Sequence, residues 1–244
     1  MHARSVQQEL KRALSAVADH PVEVTAAGRT DAGVHALMQV AHFDSPSPRT
    51  PRAWTLGSNT GLPAEISVLW AKPVPDAFHA RYSALSRTYV YRILNQSCRP
   101  ALLRRQVFWV RRPLDAGAMH AAAQALMGEH DFSSFRAAQC QSASAVRRMM
   151  HVRVERCDAT VVITVRANAF LHHMVRNIAG ALIAVGAGSR AVEWIAELLE
   201  TRDRRRGGVT APPQGLYLAH VEYPDEYGVP PPAADGPCRD LAGV

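Results

Sequence analysis

The segment "TAAGRTDAGVHALMQVAHFD", Thr25 to Asp44, sets a carboxylate, Asp31, between Gly28 and Gly33 in a break between two apolar stretches. Glycines there let the backbone approach a ligand closely and adopt unusual dihedrals. A carboxylate so placed can act as a nucleophile or a general base. Asp and Gly are also ordinary turn residues, so the segment alone favours a plain turn. Further along, Arg176 interrupts the apolar run from Phe170 to Val185. A guanidinium in such a run is costly to bury unless an anion meets it, and no acid stands nearby in sequence. Tyr89 and Tyr91 alternate in "RTYVYRIL" and so face one side of a strand, as core residues or as platforms for bases. His172 and His173 invite a metal reading. Adjacent helical positions point about 100° apart, so the two are not expected to share an ion, and no metal site is assigned. Arg204, Arg205 and Arg206 follow a helix and read as a solvated basic turn or a phosphate contact.

The elements that must hold these residues are legible from periodicity. Val6, Leu10, Ala13, Leu14 and Val17 recur at helical spacing behind Ser5 as a cap. "PVEVTAA" and "MQVAHFD" alternate as strands with the Asp31 loop between them. "AWTLGSNTGLP" starts as a helix and "ISVLWAKPV" reads as a strand. A second set follows: strand "SRTYVYRILN", helix "PLDAGAMHAAAQALMGEH" with Asp115 near its start, and a hairpin "RMMHVRVERCDATVVITVRANA" turning at Cys157 to Thr160. "FLHHMVRNIAGALIAVGAG" and "AVEWIAELLETRD" are read as helices and "GLYLAHVEYP" as a strand. Two successive mixed sets predict an α+β protein of two related halves, 1–79 and 80–224, with a loose Pro-rich tail over 225–244.

Composition narrows the partners. The 244 residues suit one large domain or two small ones. No apolar run approaches the roughly 18 residues of a membrane span, and the start lacks the apolar core of a secretory signal. A cytoplasmic protein is expected. Cys98, Cys140, Cys157 and Cys238 form no close pair, which argues against a zinc site or a disulfide framework. The net charge is +7, and Lys11 and Lys72 are the only lysines, so Arg supplies 26 of the 28 basic residues. That balance suits a polyanion such as nucleic acid, through bidentate phosphate contacts and stacking, and equally a bias toward Arg on any surface.

Six stretches carry a resemblance: "AGRTDAGVHALMQVAHF", "WTLGSNTGLP", "FHARYSALSRTYVYRILN", "GEHDFSSFRA", "NAFLHHMVRNIAG" and "QGLYLAHVEYP". In this order, and over nearly the whole chain, they resemble the A-type tRNA pseudouridine synthases. The resemblance implies an isomerase that converts uridine to pseudouridine at positions 38, 39 and 40 of the tRNA anticodon stem and loop. It implies two halves of RNA-recognition-motif (ferredoxin-like) type, with antiparallel sheets joined around a central basic cleft. It further implies a homodimer with tRNA spanning both subunits and no cofactor or membrane. Residue by residue, it gives Asp31 the catalytic carboxylate and Arg176 the basic residue that pairs with it. Tyr89 takes the aromatic residue that stacks on uracil and is available to help remove the C5 proton. Leu216 is the apolar residue packing near the base, Arg29 holds the flipped nucleotide and its phosphates, and Arg81 is an RNA contact.

Members of that family usually carry a strand and a "GWQ"-type segment before the first helix, whereas this chain begins almost directly at that helix. The expectation is a start codon assigned downstream of the natural one. A half lacking that strand leaves backbone groups unpaired and apolar surface open. Two other classes compete with the isomerase: an RNA-binding module without catalysis, and a hydrolase acting on a glycosidic bond. A pure binder has no need of a carboxylate in a basic cleft, and such hydrolases generally use two acids.

Overall fold

The computed structural model describes residues 4–231. It contains, in chain order, α1 (Val6–Ala18), β1 (Thr25–Ala26), β2 (His35–Ala36), β3 (Ala41–His42), α2 (Pro51–Gly61), β4 (Ser86–Asn95), β5 (Phe108–Val110) and α3 (Ala116–Ala123). These are followed by β6 (Gly128–Asp131), β7 (Val146–Cys157), β8 (Thr160–Ala167), α4 (Met174–Gly186), α5 (Trp194–Thr201) and β9 (Leu216–Glu222), with short 3₁₀ turns between. The protein is a mixed α/β chain, and among its described residues no helix is long and apolar enough to cross a membrane. It divides into two compact units. The smaller takes the residues up to Arg29, Gln39–Ala84 and Tyr223–Val229, and the larger takes Thr30–Met38 and Leu85–Glu222.

In the smaller unit, Ser5 caps α1 by accepting from the Gln8 N–H at 3.2 Å, and Thr50 caps α2, whose first residue is Pro51. Both caps satisfy amides that have no partner within the helix. Leu14, Ala18, Val22 and Val24 form a core against which Leu10, Ala41, Phe43 and Trp54 pack. Val6 departs from the periodic reading and is exposed. β1 pairs antiparallel with β3, Thr25 opposite His42. The strand expected at "ISVLWAKPV" does not form. Asn59 takes the place of a neighbouring strand, its Oδ1 accepting from the Val68 N–H at 2.7 Å and its Nδ2 donating to the Val68 carbonyl at 2.9 Å. Alternating apolar residues with a side-chain partner make an extended segment rather than a ladder. The start of the expected loose tail is also held: Lys72 Nζ donates to the Tyr227 and Gly228 carbonyls, and Tyr227 meets the edge of Phe78. The tail beyond residue 231, with Cys238, lies outside the described residues.

The larger unit is a seven-stranded sheet in the order β2-β9-β4-β8-β7-β6, with β5 alongside the end of β4. Four pairings are antiparallel, while β2–β9 and β4–β5 are parallel. The hairpin β7–β8 closes with Cys157 opposite Thr160, and Asp158 takes the left-handed conformation in its turn. Asp115 caps α3 by accepting from the Ala118 N–H at 2.9 Å. α4 lies on β4 and packs against α3 and α5, burying Met174, Val175, Ile178, Ala179, Leu182 and Val185. That apolar face fixes how α4 is rolled, and so where Arg176 points.

Asn59→Ala removes both bonds to Val68 and should cost about 1–3 kcal/mol, read as a lower midpoint in urea unfolding. A midpoint equal to wild type would show that the Val68 backbone does not depend on Asn59.

Candidate active site

Asp31 occupies the first position of a turn in which the Val34 N–H donates to its carbonyl at 3.1 Å. Gly33 stands third with φ +82°, the pattern of a type II turn. The plain-turn reading therefore holds for Asp31. Immediately after the turn, β2 docks in parallel beside β9, and the Leu37 N–H donates to the Leu218 carbonyl at 2.9 Å. The carboxylate thus sits at the edge of a sheet rather than on a free loop, with its side chain 26% exposed.

The anion required by Arg176 is Asp31. Arg176 NH1 donates to Asp31 Oδ2 at 2.7 Å, and the guanidinium side chain is only 14% exposed. Its Nε donates to the Ala211 carbonyl at 2.8 Å, while the Ala211 N–H donates back to the Arg176 carbonyl at 3.0 Å. This reciprocal pair needs the 209–211 segment to lie directly on α4. Gly180 permits that, because a Cβ there would fall 1.8 Å from the Val209 carbonyl oxygen. The same segment is tied further by Thr210, whose hydroxyl donates to Asn177 Oδ1 at 2.6 Å. Arg204 NH2 also donates to Asn177 Oδ1 and to Thr210 Oγ1, both at 3.0 Å. Arg204 is therefore part of the packing behind Arg176, not one third of a solvated basic turn. Arg205, by contrast, is exposed and pairs with Asp203.

The structure corrects the placement of His172 and His173. They do not lie on the helix: α4 begins at Met174, and His173 is its N-cap in the left-handed region at φ 60°. Freed from the 100° helical step, the two rings converge, with centroids 4.0 Å apart. His172 Nε2 lies 3.3 Å from Asp31 Oδ1, and His173 Nε2 lies 3.2 Å from Asp31 Oδ2. Sequence reasoning missed this pair because it began the helix at Phe170, four residues too early. The available signal was two imidazoles three and four residues ahead of the buried Arg. The three residues offer ligand atoms within 4.8 Å of one another, but Oδ2 is already engaged by a guanidinium whose positive charge opposes a cation there. Burial foremost, with the charges of His172, Arg176 and Arg204, holds His173 below the ordinary histidine range against the opposing pull of Asp31.

Tyr89 follows a bulge in the β4–β9 pairing and is 9% exposed, with the Phe170 ring edge-on at 5.0 Å. Burial foremost pushes its phenol up to about 12, and the nearby Asp31 charge adds to the rise. Tyr91 shares that face of β4 and is fully buried, its hydroxyl donating to the Pro212 carbonyl at 2.7 Å. Leu216 is the strand partner of Tyr91 and is 6% exposed. Arg29 and Arg81 lie in the smaller unit and are exposed, Arg81 with its guanidinium carbon 5.6 Å from the Tyr82 ring centre. The cluster around Asp31 is drawn from the larger unit alone.

A family model described as tRNA pseudouridine synthase matches residues 1–83 and 122–224. The chain belongs to the tRNA pseudouridine synthase family. The tRNA pseudouridine synthase A of Pseudomonas aeruginosa is 58% identical over 226 residues, covering 93% of this chain and 79% of that protein. The protein of the same name from Coxiella burnetii is 56% identical over 227 residues, covering 93% and 87%. That from Methylococcus capsulatus is 57% identical over 226 residues, covering 93% and 83%. Within this synthase-family chain, Asp31 and Arg176 are 145 residues apart in sequence and in direct contact.

Two outcomes follow from the packing and the histidines. Gly180→Ala should lower the thermal midpoint by the equivalent of about 1–3 kcal/mol, because the 209–211 segment must move off α4; an unchanged midpoint would mean that segment yields freely. Burial also holds His42 and His220 below their ordinary values, as it does His173. The unfolded chain binds these protons more readily, so stability is full above about pH 6.5 and declines as pH falls through the histidine range. Thermal midpoints at a series of pH values check this, and a midpoint that rises on acidification contradicts it.

Proposed function

We propose that this chain isomerises uridine to pseudouridine in the anticodon stem and loop of tRNA, at positions 38, 39 and 40, as a cytoplasmic homodimer that needs no cofactor. The observation that carries the reading is Arg176 holding one oxygen of Asp31 at 2.7 Å in a partly buried turn while the carboxylate stays accessible. Family membership and the names of the relatives support the substrate. The finer architecture, two RNA-recognition-motif-type halves at 1–79 and 80–224 with a tail over 225–244, is part of the same proposal.

The reaction breaks the bond between uracil N1 and ribose C1′, turns the base and forms a bond from C5 to C1′. C5 loses its proton and N1 gains one, so no atoms are added or lost overall. Asp31 acts at the sugar, either by attacking C1′ or by taking the neighbouring C2′ proton to give a glycal. Arg176 orients the carboxylate and neutralises its charge when the ribose is bound. With its phenol pushed up to about 12 by burial, Tyr89 is neutral near pH 7. It therefore works as a stacking platform for uracil, and burial counts against it as the base that removes the C5 proton. Leu216 packs beside the base, Arg29 holds the flipped nucleotide and its phosphates, and Arg81 contacts RNA.

Incubation with tRNA tritiated at uracil C5 should release label to water at a rate set by the enzyme. No release by the folded protein would overturn the reading and leave RNA binding alone. Asp31→Asn should cut release by about 10³-fold or more while binding of tRNA persists; turnover near wild type would remove Asp31 from its role. Affinity for tRNA should fall linearly in log-log form with salt, and Arg29→Ala should flatten the slope by about 1 if Arg29 neutralises a phosphate. An unchanged slope would take Arg29 off the RNA.

A further inference from the structure

Asp31 needs more than charge compensation to act on a sugar, because its carboxylate must present one oxygen in a fixed plane. Arg176 supplies a single aligned hydrogen bond to Oδ2, which leaves the group free to swing about that contact. The remaining neighbours are the two imidazoles, one against each oxygen, at 3.3 and 3.2 Å. We propose that His172 and His173 are positioning residues for Asp31: neutral, they hold the plane of the carboxylate from both oxygens, and protonated, they lock it and set the acid limit of the reaction.

The local backbone is built to aim both rings. The His172 N–H donates to Cys140 Sγ at 3.5 Å, and its carbonyl accepts from the Ala137 N–H at 3.0 Å. His173 accepts the Asn177 N–H at 2.9 Å and holds a left-handed conformation that costs a non-glycine residue on the order of 1 kcal/mol. That conformation turns its ring away from the helical direction and onto the ring of His172. His172 is the more exposed of the pair, 39% against 30%, and stands at Oδ1, the oxygen that Arg176 does not take.

The charges facing the pair come from every side. Asp31 approaches from its turn, Arg176 from α4 and Arg204 from the 3₁₀ turn at 204–206, while the Cys140 thiol lies beside His172 with Arg136 bonded to the Cys140 carbonyl. With Arg176 and Arg204 already positive, adding imidazolium charge gives Asp31 up to three cations for two oxygens. A carboxylate so held is a weaker nucleophile and a weaker base. The same protonation leaves Tyr89 and Leu216 untouched, so the effect falls on turnover rather than on base stacking.

This inference rests on the isomerase reading, and tritium release at a series of pH values keeps the two separable. For His172→Ala, kcat should drop about 10–100-fold while KM for tRNA changes by less than about threefold. His172→Gln, whose amide still donates, should recover part of that loss. The double variant His172→Gln with His173→Gln should lose the acid limb expected of the wild type. Wild-type kcat in His172→Ala, or an unaltered acid limb in the double variant, overturns the positioning role while leaving the isomerase reading intact. Absence of release by the wild type at every pH sinks the isomerase reading and this inference with it.

Discussion

A charge pair between Asp31 and Arg176, largely removed from water, is the constraint to which the rest of the larger unit answers. Breaking a buried pair from one side costs about 3–5 kcal/mol, and less where a partner keeps some solvent, as Asp31 does at 26% exposure. Such a pair survives only where the fold brings both groups to the same point and satisfies the remaining donors. Arg176 meets that condition by giving Nε to the Ala211 carbonyl and NH1 to Asp31. Asp31 meets it by standing at the start of a turn whose end is stitched to β9.

The backbone around the pair shows the cost of that placement. Gly33 is needed for its positive φ, and Gly180 is needed because the 209–211 segment runs where a side chain would otherwise be. His173 takes a left-handed conformation without being glycine. Two left-handed positions and one close backbone contact within one site fit strain concentrating where groups must be aimed rather than merely buried. Beneath them, β4 supplies a rigid floor, with Tyr91 tied to Pro212 and Leu216 in register opposite it.

Arginine does two different jobs in this chain. Arg176 and Arg204 are inside, where a planar guanidinium can serve two acceptors at once: a carboxylate and a carbonyl for Arg176, an amide oxygen and a hydroxyl for Arg204. Arg29, Arg81 and Arg205 are at the surface. The overall charge of +7 suits a polyanionic partner, but composition cannot sort the interior guanidiniums from those at the surface. That sorting depends on which side chains have acceptors within reach.

Most of the elements were legible in sequence because their signals are local. Ser5 and Asp115 cap helices by bonding amides three residues on, and the alternation in "SRTYVYRILN" and in the β7–β8 hairpin reflects a two-residue period that the pleat imposes. The local signals failed where a partner came from elsewhere. "ISVLWAKPV" alternates as a strand does, yet Asn59 takes both backbone bonds of Val68; "FLHHM" continues an apolar helical pattern, yet the helix starts only at Met174. For the site, sequence established that a buried Arg176 required an anion and that Asp31 stood in a glycine-bounded turn. That each answers the other was implied only by the family resemblance; the tertiary structure shows the contact across 145 residues and alone decided that His172 and His173 join it, because contact between distant segments is set by packing and leaves no periodic trace in the chain.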